Sequence, residues 1–157
     1  MPKIHLTTFI AAPVERVFDL SRSIKMHKFS MDRFKEEMVN GPMNDLVEVG
    51  DEMTWKARHL LKTRILKSKI TLVKKYECFV DEQVSGDFKM MKHEHHFKLV
   101  ENGVIMIDLF QFETPYGPMG KWFNQAYLSR YMKKLLEQRN LHIKKYAESD
   151  QWKKILS

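Results

Sequence analysis

Five side chains in the middle of the chain, His59, Glu82, His93, His95 and Asp108, are of the types that exchange protons, orient polar ligands or hold metal ions. Their spacing gives them a common direction if the segments carrying them are strands, because neighbouring strand side chains point to opposite faces of a sheet. Within 53–61, the set Met53, Trp55, Ala57, His59 and Leu61 is apolar except for the histidine, and Thr54, Lys56 and Arg58 take the other parity. Within 91–99, Met91, His93, His95, Phe97 and Leu99 stand against Lys92, Glu94, His96 and Lys98. The same rule selects Val80, Glu82 and Val84 over Asp81 and Gln83, and Met106, Asp108, Phe110 and Phe112 on the next apolar segment. Three histidines and two carboxylates are therefore expected to face one interior, with Glu94 and His96 at the surface.

An unpaired buried charge costs several kcal/mol, so such a set must pair internally or face a wet cavity. Four arrangements answer to it. It can be a satisfied hydrogen-bond network, a patch that orients a ligand in an apolar pocket, or an acid/base centre with His59 or His95 beside Asp108 or Glu82. It can also be a metal site, since His93-x-His95 with a third histidine and a carboxylate has suitable ligand types. Arg139, in the apolar stripe of a C-terminal helix between Leu135, Leu136, His142 and Ile143, offers a guanidinium to the carboxylates. Because Glu82, Asp108 and Arg139 already partner the histidines, the reading adopted carries no metal and no cofactor. No phosphate-cradling glycine loop, nucleophile elbow or dinucleotide fingerprint is present.

The elements that must position this set follow from periodicity. Ile4 to Ala11 favours a strand, and Pro13 opens a helix through Leu20, with Val14, Val17 and Phe18 at helical spacing. A short turn is expected at 23–27, while 28–39 has no decisive period. From Gly41 to Pro115 the period is two, punctuated by Gly50-Asp51, Ser85-Gly86-Asp87 and Asn102-Gly103, which reads as an antiparallel meander. A two-residue turn at Asn102-Gly103 sets Phe97 opposite Asp108 and His95 opposite Phe110. After Pro118, a long helix gathers Leu128, Tyr131, Met132, Leu135, Leu136, His142, Ile143 and Tyr146 on one face. Met119, Trp122, Phe123 and Ala126 fall on its far side and predict a separate turn or a mobile entry segment. Trp55, Phe97, Phe110, Phe112, Trp122, Phe123, Tyr127 and Tyr131 are the aromatics that line or fill the space beneath.

With 157 residues, 43% apolar and 30% charged, the chain is expected to form one globular domain over 1–157. Cys78 is the sole cysteine, which rules out an internal disulfide framework. Without a signal-like start or a membrane-length apolar run, a cytoplasmic location without stable membrane insertion is expected. Of the net +7, almost all comes from residues 118–157, where nine Lys/Arg meet three Asp/Glu on a solvated helix face. A nucleic-acid partner is therefore not expected. Oligomeric state is left unset by the sequence.

The order strand, helix, antiparallel meander, long helix resembles the SRPBCC superfamily, the START and Bet v 1-like proteins, over nearly the whole chain. Ala12-Pro13-Val14-Glu15-Arg16-Val17-Phe18-Asp19-Leu20 is similar to that superfamily's opening. Trp55-Lys56-Ala57-Arg58-His59, Phe79-Val80-Asp81-Glu82-Gln83, His93-Glu94-His95-His96-Phe97 and Pro115-Tyr116-Gly117-Pro118 resemble a bacterial branch described as polyketide cyclase/dehydrase-like or ligand-binding. The resemblance implies an α+β helix-grip fold: a curved antiparallel sheet of six or seven strands wrapped around the C-terminal helix. Members of the superfamily carry lipids, sterols, polyketides or plant hormones, and some catalyse cyclisation or dehydration in the same cavity. The expectation is a small, mostly apolar ligand, lipid, isoprenoid or polyketide-like, with a polar or acidic group. Trp55, His59, Glu82, His93, His95, Asp108, Phe110, Phe112 and Arg139 are the candidate binding residues. The alternative is a cavity enzyme of cyclase/dehydratase type using His59, His95 and Asp108.

Overall fold

The computed structural model describes residues 2–114 and 118–156, and describes side chains outside 115–124. Among the described residues there are seven strands: β1 (Lys3–Ile10), β2 (Glu37–Asn40), β3 (Glu52–His59), β4 (Lys62–Lys74), β5 (Cys78–Ser85), β6 (Met90–Val100) and β7 (Gly103–Glu113). The helices are α1 (Val14–Ser21), α2 (Ile24–Ser30), α3 (Pro118–Ala147) and α4 (Lys153–Leu156). The strands form one antiparallel sheet in the order β1-β7-β6-β5-β4-β3-β2, a meander closed by β1 against the last strand. The sheet curves around α3, the α+β helix-grip arrangement. No helix among the described residues is long and apolar enough to cross a membrane.

Local sequence explains the frame. Pro13, at φ −61°, sits at the start of α1, where its missing N–H is not needed. Ser23 caps α2 by accepting from the Met26 amide, and donates its own hydroxyl to Asp45 at 2.6 Å, tying the helix to the loop before β3. On β3, β6 and β7, alternate residues are buried, as one covered sheet face demands. Phe18, fully buried, meets Phe79 and Phe97 edge-on, and with Val17, Val104, Met106, Ile143 and Ala147 it fills one end of the space under α3. Truncating Phe18 to alanine there would cost about 3–5 kcal/mol. Nearer the other end, Met91, Phe110, Phe112, Leu135 and Leu136 form a second cluster, and Met53, Trp55 and Ile70 a third.

Several expectations need correction. The β6–β7 loop is Glu101-Asn102, one residue earlier than expected, so His95 faces Asp108, His93 faces Phe110 and Phe97 faces Met106. Gly103 follows the loop because a Cβ there would lie 2.2 Å from the Ile10 carbonyl oxygen. This close approach to the end of β1, and not a turn conformation at Asn102-Gly103, is what requires glycine. The slip moves each partner by two positions, so Met91, His93, His95, Phe97, Met106, Asp108, Phe110 and Phe112 stay buried on the inner face, while Leu99, beyond the covered part of β6, is exposed. β3 ends at His59, and Leu60-Leu61 forms the hairpin turn with φ of 53° and 64°, leaving Leu61 exposed. The undecided stretch 28–39 resolves into the end of α2, a 3-10 turn at Asp32–Phe34 and the edge strand β2. The helix runs unbroken from Pro118, so positions 119–126 belong to it and form no separate turn, while the side chains of Met119, Trp122 and Phe123 lie outside the described residues. His142 is exposed and bonds the Gln138 carbonyl one turn back.

Candidate ligand cavity and its polar wall

Between the sheet and α3 the clusters leave a cavity of about 710 Å³. Met53, Trp55 and Ala57 of β3, Ile70 of β4, Phe79 of β5, Met91 of β6, Phe110 of β7 and Leu128, Leu135 and Leu136 of α3 give it an apolar body. Set into that body is one polar wall, where Asp81, His93, His95 and Arg139 reach the cavity surface.

Strand pairing assembles the wall. His93 and His95, two apart on β6, share a face with ring centroids 3.7 Å apart. Asp81 is the direct cross-strand neighbour of His93, and its Oδ2 lies 2.9 Å from His95 Nε2. Behind them Asp108, with no exposed surface, takes His93 Nε2 at 2.8 Å and accepts from Asn140 Nδ2 at 2.7 Å. From α3, Arg139 Nη1 donates to Asn140 Oδ1 at 3.0 Å and lies 3.5 Å from Asp108, while Nη2 donates to the Ser21 carbonyl at 3.2 Å. The His95 ring is stacked on Phe79 at 4.1 Å, which fixes its plane.

Electrostatics follow from this packing. Burial on its own would raise the Asp108 carboxyl, but hydrogen bonds from His93 and His95 and the Arg139 charge hold it well below the usual range. Burial likewise opposes ionisation of Asp81, and the His95 hydrogen bond with the neighbouring positive charges turns the balance downwards. His93 is lowered to about 4, first by burial and then by repulsion from His95, with Asp108 only partly compensating. His93 is thus neutral near pH 7, donating to Asp108 through Nε2 and keeping its lone pair on Nδ1. The wall carries two carboxylates against one guanidinium.

A second polar rim lies elsewhere on the lining. His59 Nδ1 pairs with the Tyr131 hydroxyl at 2.7 Å, joining β3 to α3. Its pKa is lowered by burial, against the pull of Glu36 and together with the Arg64 charge. His27 hydrogen-bonds Glu36 and packs its ring 4.4 Å from Trp55. Thr114, 2% exposed and on the lining, has a hydroxyl with no protein partner among the described residues.

Of the sequence candidates, Trp55, His59, His93, His95, Phe110 and Arg139 line the cavity, and Asp108 stands directly behind them. Phe112 is fully buried against Phe88 and Phe110 and does not reach the lining. Glu82 is the misplaced one. It takes the opposite face, between Lys69 and Lys92 on the neighbouring strands, and Asp81 occupies the inward position. Val80 and Val84 suggested the wrong phase: Val80 pairs with Glu94 and shares the parity of Glu82, though it is buried, and Val84 is half exposed. Pairing with His93 and His95 sets the phase of β5, and a strand's own alternation does not contain that information. Asn140 was also missed, although its place beside Arg139 on the inner side of α3 was a usable signal.

No family model and no curated protein matches the chain. Solved structures do. The chain is similar to TTHA0849 from Thermus thermophilus, at 16% identity and a TM-score of 0.70, covering 90% of this chain and 97% of that one. It is also similar to the Zhui aromatase/cyclase from Streptomyces sp. R1128, at 11% identity and a TM-score of 0.76, covering 94% and 93%. A third likeness is to the major latex-like protein 151 of Panax ginseng, at 13% and 0.57, covering 87% and 97%. Together with the topology above, these likenesses define a helix-grip protein with a cavity between sheet and helix.

Proposed function

We propose that this protein binds a small, mostly apolar molecule in the cavity under α3, as the helix-grip carriers do. One observation carries the reading: a cavity of about 710 Å³, within the roughly 300–1,000 Å³ usual for ligand sites, has an apolar body and a few convergent polar groups. Arg139 is already engaged by Asn140, the Ser21 carbonyl and Asp108. A ligand group that donates hydrogen bonds, a hydroxyl or phenol, suits the carboxylate-rich wall better than an acid would. Lipid, isoprenoid and polyketide-like skeletons all fit this description, and a place in the bacterial polyketide cyclase/dehydrase-like branch belongs to the same proposal. The chain is read as one domain with a small-molecule partner and not a nucleic acid.

The test uses Trp55 as reporter in a Trp122→Phe, Trp152→Phe variant, titrated with fatty acids, isoprenoid alcohols and aromatic polyketides. A saturable one-to-one response favouring hydroxylated over carboxylated compounds is expected, and no response across the panel would refute the proposal. A second reading, cavity catalysis, is favoured by the His95–Asp81 pair at the lining, an imidazole oriented by a carboxylate as general acid/base chemistry needs. Product analysis separates the two, since a carrier returns its ligand unchanged.

A further inference from the structure

We propose that Asp81, His93 and His95 form a binding site for one divalent first-row transition-metal ion, open to the cavity. The two histidines stand two residues apart on β6 and Asp81 stands across from His93 on β5, so a single sheet face presents all three. One donor atom from each lies within 4.8 Å of the others. Ligands at about 2.1 Å from a metal are about 3.0 Å from one another at octahedral angles and about 3.4 Å at tetrahedral ones. The His95 Nε2 to Asp81 Oδ2 separation is 2.9 Å, so a cation can replace the proton those two atoms share with little rearrangement.

The donor set is two imidazoles and one carboxylate, which suits zinc, iron(II) or cobalt(II) better than the oxygen-seeking magnesium and calcium. Its supporting shell is in place. His93 gives its Nε2–H to Asp108, and Asn140 in turn donates to Asp108, the carboxylate–histidine arrangement that orients metal ligands. Asp81, His93 and His95 all line the cavity, so coordination positions not taken by protein face the ligand space. Glu82, expected to partner the histidines in place of a cation, is on the other face of the sheet.

This inference stands apart from the ligand proposal, because a metal titration needs no organic ligand. The full chain, stripped with a chelator, is titrated with zinc(II) by calorimetry and with cobalt(II) by visible absorption. One equivalent is expected, with cobalt bands showing nitrogen and oxygen ligation. Asp81→Asn and His95→Gln should each weaken binding by roughly 100-fold or more, beyond the 10- to 100-fold typical of outer-shell changes. Glu82→Gln and His96→Gln, next door in sequence but on the opposite face, should bind as the parent does. If the first pair does not fold, paramagnetic broadening by cobalt(II) in the parent protein is expected at the His93 and His95 ring protons. Absence of stoichiometric binding, binding unaltered by Asp81→Asn in folded protein, loss through His96→Gln, or broadening confined to other histidines would each overturn the inference.

Discussion

Replacing Asp108 by alanine removes the acceptor on which the wall converges. The carboxylate is fully buried, takes His93 Nε2 at 2.8 Å and Asn140 Nδ2 at 2.7 Å, and lies 3.5 Å from both Arg139 Nη1 and His95 Nδ1. Each buried donor left without a partner costs about 1–3 kcal/mol, and removing one side of a buried ion pair costs about 3–5 kcal/mol. These penalties overlap, since water entering from the cavity can meet some of the freed donors, so the net loss is placed at about 3–5 kcal/mol. At roughly 2–4 °C per kcal/mol for a chain of this length, Tm should fall by roughly 10 °C. Urea denaturation followed by circular dichroism measures the difference directly, provided the slope is unchanged. Arg139→Met should then cost less in the Asp108→Ala background than in the parent, with a coupling of at least about 1 kcal/mol. A loss below about 1 kcal/mol, or strictly additive effects, would show that these groups are not one connected unit.

Other outcomes follow from particular residues. In chelator-treated protein, stability should fall as pH drops from about 6.5 towards 4. The unfolded His93 takes up a proton throughout that window and the folded one, lowered to about 4, does not. The difference is worth roughly 3 kcal/mol at about 1.4 kcal/mol per pK unit. His93→Gln should flatten this part of the profile, and parallel profiles would mean that His93 is not held neutral. The lowered Asp108 and Asp81 act with the same sign further down, giving stability that is present above about 4 and lost as pH falls through their folded pKa values. Gly103→Ala should cost well over about 1 kcal/mol, because its Cβ meets the Ile10 carbonyl. Gly50→Ala, at φ +92° with nothing within 4 Å, should cost only about 1 kcal/mol in denaturation experiments. Leu60→Asn with Leu61→Gly should raise Tm by roughly 2–4 °C, since both positions already hold the positive φ that these residues accept.

The fold was largely legible in the sequence because its two periods are clean: two through the meander, 3.6 after Pro118. Strand parity placed His59, His93, His95 and Asp108 on the inner face even though the β6–β7 loop was set one residue late, since a shift of two in partner leaves every face unchanged. Parity failed on β5, where Val80 and Val84 made the outer face look like the inner one and exchanged Glu82 for Asp81. Only the cross-strand partners His93 and His95 determine that phase. The His27–Glu36 pair was beyond reach for a different reason. It joins α2 to the segment before β2, a stretch with no period of its own, and its placement depends on Trp55 packing from a third element. Arg139 was visible as a charge in an apolar helical stripe, with Asn140 beside it, but its bond to the Ser21 carbonyl belongs to a contact between α3 and α1 that no local pattern encodes.

Occupancy of the cavity is tested most directly by native mass spectrometry of the intact protein saturated with the best compound of the titration panel. The parent and an Ala57→Trp variant, whose new indole would project into the lining, are compared side by side. The account predicts a one-to-one complex for the parent, released on unfolding, and only the bare chain for the folded variant. Equal occupancy of parent and folded variant, or a bare chain in both, would contradict binding beneath α3.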